Sequence, residues 1–361
     1  ALAERTRRGQ PFTRPELAVL LAYAKLTLYD DLLATSVPDD SYLSRELSQY
    51  FPHEIRDKFP DSVEHHRLRR EVISTNLANA VINRGGPACV VRLIDETDAD
   101  VPTIAKAFVA VDECYGLRRL NEAIDALDNK IDGQLQLGLY ASVQDLLHSR
   151  MVWCVRNVDF SAGLDAVISR FGPCIREIAA GLDNALPQDM QAGRSKRRQD
   201  LGDGGVPLEL AGELADLNTL VSALDIVTVA GRTNRAIGDT ATTFFAAEAN
   251  FRLDRIIAAA RGVPANDFFE RLAIDRAVDQ IAAAERRLVA DMLANGQSGQ
   301  QAAENWLAAH PEATRIRRSV EEIAASGLTL AKLTVAANLL GDLVKGREGT
   351  LTTSNLEHAQ L

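Results

Sequence analysis

Apolar positions recur three and four residues apart along most of this chain, the spacing of one helix face, and no segment alternates convincingly with period two. One stretch is denser. Leu17-Ala18-Val19-Leu20-Leu21-Ala22-Tyr23-Ala24 is apolar on every face. Thr13 and Glu16 stand before it in capping-box spacing, and Pro15 fills a first-turn position whose N–H would have had no partner. A helix apolar all round asks for neighbours on all sides. The pattern therefore predicts a helix over 15–35 whose 17–23 portion is nearly inaccessible, a post against which later helices pack.

Val37-Pro38-Asp39-Asp40 stops that helix and caps a second over 41–50. Residues 68–83 form the next long helix, with Leu68, Val72, Leu77, Val81 and Ile82 inward and Gly85-Gly86 as its stop. Short helices are predicted over 89–96, 101–114 and 117–127. Residues 131–157 read as one long helix with the stripe Leu135, Leu139, Val143, Leu146 and Trp153. A break at 159–163 precedes two separate pieces, 164–171 and 173–186. Helices are then expected over 191–207 (closed by a glycine stop), 208–217, 220–229 and 236–250. The second long helix covers 266–295, with Ile274, Val278, Ile281, Leu288 and Met292 inward; 302–310, 313–325 and 329–346 follow. In the last, Leu330, Leu333, Ala337, Leu340 and Val344 make a narrow seam, suited to docking within the chain or on another subunit. The expected fold class is all-α, a multi-helix array or bundle with short loops and no significant sheet. Two sub-bundles, 13–158 and 159–346, are expected between a linker at 1–12 and a polar tail at 347–361.

Composition narrows the function classes. A 361-residue chain with 46% apolar residues should bury roughly three-quarters of its unfolded surface. The net charge of −10 and pI near 5.2 oppose phosphate backbones and anionic membranes, so neither nucleic acid nor membrane is an expected partner. No run reaches the ~18 apolar residues of a membrane span, and the charged N-terminus lacks the apolar region of a signal peptide. Cys89, Cys114, Cys154 and Cys174 are widely spaced beside apolar residues, which predicts buried, reduced thiols in a cytoplasmic protein. A start at Ala1, within a polar stretch, is what a piece of a longer polypeptide would show.

Candidate chemistry is sparse. Neither GxGxxG after a strand nor GxxxxGK[ST] occurs, and the glycines at 202–205 read as a loop, so no nucleotide site is expected. Glu64, His65, His66 and Glu71 offer metal-ligand types, but adjacent residues point to different faces of a helix. A solvated helix start is the better account. Asp95, Glu96, Asp98 and Asp100 lack the glycine and distal glutamate of an EF-hand loop and suit helix capping. Lys25, after eight apolar positions, could act as a base if desolvated; a stem lying along the helix with its ammonium in solvent is the plainer expectation. The basic run Arg194, Lys196, Arg197 and Arg198 lacks interleaved aromatics and reads as a solvated face. The residues themselves thus designate no catalytic, cofactor-binding or metal-binding position.

Thr13-Arg14-Pro15-Glu16-Leu17-Ala18-Val19-Leu20-Leu21-Ala22-Tyr23-Ala24-Lys25 resembles a segment of the large bacterial NAD-specific glutamate dehydrogenases. Pro38-Asp39-Asp40-x-Tyr42-Leu43, Tyr50-Phe51-Pro52 and His66-Arg67-Leu68-Arg69-Arg70-Glu71-Val72-Ile73 are similar to the same family. So is Asn83-Arg84-Gly85-Gly86, with a second glycine where the family pattern suggests alanine; Leu127-Asp128-Asn129 and Ala223-Leu224-Asp225-Ile226-Val227 also fit. The likeness covers about residues 10–345 and is densest before residue 90. It implies the C-terminal helical region of a cytoplasmic, homo-oligomeric enzyme that oxidatively deaminates L-glutamate to 2-oxoglutarate and ammonia. NAD, the catalytic lysine and the catalytic aspartate would then belong to an upstream catalytic domain of the same polypeptide, entered through the linker at 1–12. Lys25 lies outside that domain and is not the family's catalytic lysine. The expected role of this segment is structure, assembly or regulation; the alternative is a stand-alone helical protein-interaction adaptor.

Overall fold

The capping box at Thr13 closes: its backbone N–H donates to Glu16 Oε2 at 2.8 Å, satisfying a donor that the first helical turn leaves open. In the computed structural model, which describes residues 2–345 except position 261, that box opens the helix α2 (Arg14–Leu33), behind a short α1 (Leu2–Arg7) inside the stretch expected as linker. The expected polar tail, 347–361, lies outside the described residues. Among those residues there are twenty α-helices and no strand. The all-α expectation holds.

Two compact units are present, Ala1–Pro173 and Cys174–Leu361. The first continues with α3 (Ser44–Tyr50), α4 (His53–Lys58), α5 (Pro60–Glu64), α6 (Arg69–Ala80), α7 (Cys89–Thr97), α8 (Val101–Tyr115), α9 (Leu117–Asp125) and α10 (Gly133–Asn157). α2 packs on α6, and α10 packs on α7, α8 and α9. Leu139, Val143, Leu146 and Trp153 are buried along the stripe predicted for α10, while Leu135 is half-buried. Around α6 the inward set shifts: Leu77 is buried with Ile73 and Ala78, as are Val81 and Ile82 in the π-helical turn that follows, but Val72 is half-buried and Leu68 is exposed ahead of the first turn.

The break at 159–163 exists, but the one expected at Pro173 does not. α11 runs unbroken over Leu164–Ala185 with Pro173 inside it. An interior proline removes a backbone hydrogen bond and costs about 3 kcal/mol. Burial of Leu164, Val167, Phe171, Ile175, Ile178 and Leu182 on its two sides offsets that loss. The N-terminal half of α11 stays in the first unit because Asp40 Oδ2 accepts from Leu164 N–H at 3.2 Å and Phe171 meets Trp153 edge-on.

The second unit holds α12 (Gln188–Asp203), α13 (Leu208–Leu220), α14 (Ala223–Thr233), α15 (Ile237–Phe251), α16 (Leu253–Ala260), α17 (Phe268–Leu293), α18 (Gly299–Ala309), α19 (Pro311–Ala325) and α20 (Leu330–Lys345). α16 has no counterpart in the sequence expectation; it buries Leu253, Ile256 and Ala260 at spacings of three and four. α15 is wrapped by α14, α16, α17, α18 and α19, and α20 lies along α17. The Leu333, Ala337, Leu340 and Val344 seam is buried within this chain. No single helix among the described residues is long and apolar enough to cross a membrane. α13 and α14 would qualify only together, and a 57° bend separates them.

Candidate functional site

Two places invert the ordinary partition of apolar inside and charged outside. The first is the N-terminal half of α2. Leu28 and Leu32 lie at the α6 contact, with Leu32 fully buried. Val19, Tyr23 and Leu26, spaced by four and three, expose 45%, 63% and 58% of their surface, and Leu17 exposes 51%. The near-inaccessibility predicted for 17–23 is therefore wrong for this chain. All-round apolarity records how many neighbours a helix wants; burial is complete only in the C-terminal turns. The exposed end is nevertheless held firmly. Arg5 donates to Glu16 Oε1 at 2.7 Å, and the Thr13 backbone and hydroxyl, then Arg5, keep the Glu16 carboxyl below its usual range. At the other end Arg70 donates to the carbonyls of Leu33 and Thr35, each at 2.8 Å, and pairs with Asp39.

That last contact joins two of the segments on which the family likeness rests. Their polar residues are joints of the first unit. Asp39 takes Arg70; Asp40 accepts from the backbone N–H of Tyr42 as well as that of Leu164; Tyr42 donates to Glu113 at 3.0 Å; Arg69 reaches Ser44 Oγ at 2.9 Å. Arg84 pairs with Asp125 at 3.0 Å. Gly86 has φ +92°, a conformation side chains disfavour, and a Cβ on Gly85 would lie 2.7 Å from Cys89 Sγ, so glycine and cysteine fit together there.

The second inversion is in the other unit. Asp225 (α14), Glu248 (α15) and Glu285 (α17) are all buried, the last two at 4% and 3% exposure. Asp225 is ion-paired with Arg286. Glu248 accepts from Ser222 Oγ; burial, with Asp254 and Asp225 nearby, pushes its carboxyl up to about 8. Burial first, then Glu248 and Asp225, raises Glu285 well above the usual range, and its Oε1 has no hydrogen-bond partner. This cluster is not among the positions expected from the sequence. Its signal was legible: Asp225 inside Ala-Leu-Asp-Ile-Val, Glu248 after Phe244-Phe245-Ala246-Ala247 and Glu285 after three alanines are charges on inward-facing helical positions.

The residues weighed from sequence are not brought together. Lys25 is half-buried on α2. His65 Nδ1 lies 2.9 Å from its own helix's Asp61 carbonyl, and His66 Nδ1 accepts from Leu68 N–H while its ring meets Phe51. Among the described residues no three or more His, Cys, Asp or Glu side chains are grouped to hold a metal. Asp100 caps α8 by accepting from Thr103 N–H at 2.9 Å, and Glu96 pairs with His148 at 3.0 Å. Arg194 is tied to Asp183 and Asp216 and Lys196 to Asp200, so those basic residues serve helix contacts. Cys89, Cys114 and Cys154 are buried; Cys174 is only half-buried, which corrects the expectation of four buried thiols. A concavity of about 680 Å³ runs between Leu186-Pro187, Asn250 and Ser298-Gly299. Its guanidinium, Arg252, is paired with Asp189 at 2.8 Å.

Known proteins align with this sequence over nearly its whole length. The sequence model of the family described as "Glutamate dehydrogenase, C-terminal" matches residues 9–342. The chain is similar to the NAD-specific glutamate dehydrogenase of Halomonas elongata, 33% identical over 326 residues that cover 89% of this chain and 20% of that protein. It is similar to the enzymes of that name from Pseudomonas aeruginosa (30% over 353 residues; 96% of this chain, 22% of the relative) and Mycobacterium tuberculosis (29% over 343 residues; 93% and 21%). The chain thus spans about one fifth of the length of the curated relatives it matches.

Proposed function

The chain belongs to the glutamate dehydrogenase C-terminal family, and from that premise we propose that it serves an NAD-dependent glutamate dehydrogenase as a non-catalytic helical region, acting in structure, assembly or regulation. The parent reaction is oxidative deamination of L-glutamate to 2-oxoglutarate and ammonia. Hydride transfer needs a nicotinamide in contact with the substrate Cα, and groups placed to take protons from the amine and the attacking water. The proposal assigns those groups, and NAD, to an upstream catalytic domain of the same polypeptide. It also takes the parent enzyme to be a cytoplasmic homo-oligomer without nucleic-acid or membrane partners.

One observation carries this role: the capped helix face formed by Val19, Tyr23 and Leu26, exposed at the N-terminal end of the family match. An exposed apolar patch held on an ordered helix suits a protein contact better than solvent. The upstream catalytic domain is the partner proposed for it. A stand-alone adaptor is not favoured by a match of this extent to a dehydrogenase family. In the full-length enzyme, the triple change Val19→Asp, Tyr23→Asp and Leu26→Asp should lower thermal stability or change the oligomer, while the KM values for NAD and glutamate of the surviving enzyme stay unchanged. The 361-residue chain alone should form no NADH from glutamate and bind no NAD in calorimetric titration. Turnover above background, or micromolar NAD binding, would overturn the non-catalytic role; a triple variant indistinguishable from wild type would overturn the assigned face.

A further inference from the structure

The carboxyls at the centre of the second unit are short of cations. Arg286, the guanidinium among them, is committed to Asp225. The charged groups facing Glu248 are Asp225 and Asp254; those facing Glu285 are Glu248, Asp225, Asp254 and Arg286. Asp254, only partly buried, has Arg255 and Arg252 beside it. From the helices packed around α15 and α17, α18 places the Trp306 indole on Asp291, and α19 places Arg317 on Asn250 and Glu321 beside Arg252. Those groups are engaged elsewhere.

Glu248 therefore has a hydroxyl donor for one oxygen, and Glu285 has an oxygen with no donor at all. An ionised carboxylate in such a place would be desolvated without compensation, and the two on the packed α15 and α17 would also repel. No metal-holding group of side chains occurs among the described residues. A proton is the neutralising ligand that these positions can take.

We propose that Glu248 and Glu285 form a proton-holding pair at the junction of α14, α15, α16 and α17, and that loss of those protons in alkaline solution loosens this core. The second unit thereby carries an alkaline-sensitive switch. The inference stands independently of the dehydrogenase assignment. Its sign follows from linkage. The unfolded chain ionises these glutamates near 4.5 and the folded one holds Glu248 protonated to about 8, so the folded state binds more protons over that window. Stability is complete below it and falls as pH rises through it. For each extra proton that the folded state holds, the folding equilibrium constant falls by up to about tenfold per unit of rise in pH.

Trp153 and Trp306 are the only two tryptophans, so in the 361-residue chain Trp153→Phe leaves Trp306, buried on α18, as the reporter of the second unit. Urea unfolding followed by its fluorescence should show a midpoint that falls steadily from pH 5 to pH 8. Adding Glu285→Gln should reduce that fall and raise the midpoint at pH 8. A midpoint that does not depend on pH, or rises, overturns the proposal. So does a Glu285→Gln loss that is equal at every pH. Should either variant fail to fold, infrared spectroscopy of the wild-type chain decides. A protonated-carboxyl carbonyl band at pH 7 that vanishes reversibly in alkaline solution supports the pair, and the lack of such a band overturns it.

Discussion

The N-terminal half of α2 and the junction of α14–α17 are opposite failures of the same rule. One is an almost wholly apolar helix end left in solvent; the other is a set of carboxyls sealed in a core. Both are held in place by ordinary helix chemistry: the capping box and Arg70 for α2, the apolar rows of α15 and α17 for the glutamates. The contrast separates two kinds of constraint. An exposed apolar face does little for the folding of this chain and becomes intelligible when a further surface is supplied. A buried carboxyl destabilises the chain itself unless a proton or a partner neutralises it, so its consequences are internal.

Five substitutions break or sharpen that contrast. Arg286→Ala should have the largest effect, about 3–5 kcal/mol, because it breaks a buried ion pair with Asp225; urea unfolding of the chain measures it. Leu32→Ala, at the fully buried end of α2, should cost about 2–5 kcal/mol in the same assay. Next comes a pH window in the first unit. Burial pushes the Asp112 carboxyl up to about 6 despite Arg118 nearby, so its contribution declines as pH rises from about 4 to about 6. Asp112→Asn should flatten that lower window, read by Trp153 fluorescence in a Trp306→Phe chain, and leave the window of Glu248 and Glu285 untouched. Smallest of all, Val19→Ala and Tyr23→Ala should each shift stability by no more than about 0.5 kcal/mol in the isolated chain. A loss comparable to that of Leu32→Ala would mean that the exposed half of α2 is packed after all.

Helix identity was legible almost everywhere, since spacing, caps and glycine stops act within one or two turns. The capping box at Thr13, the Asp100 cap and the α10 stripe all stand where the residues put them. Errors concentrate where distant packing overrides the local signal. Pro173 marks a helix end by its own chemistry, yet α11 passes through it with buried residues on both sides. α16 is only eight residues long and offers too few turns for a period to register.

The sequence by itself determined the all-α class, the order of most helices and the family, because these depend on short-range patterns and on residue identity. Tertiary structure alone decided which face of each helix has a neighbour. Leu17 and Leu32 are the same residue on one helix, yet one is exposed and the other is sealed. Asp30 and Glu285 are both acids in helices, but only the packing of α14–α17 puts the second out of reach of water. Burial is a property of what arrives from elsewhere in the chain, and a linear pattern records only each helix's readiness for it.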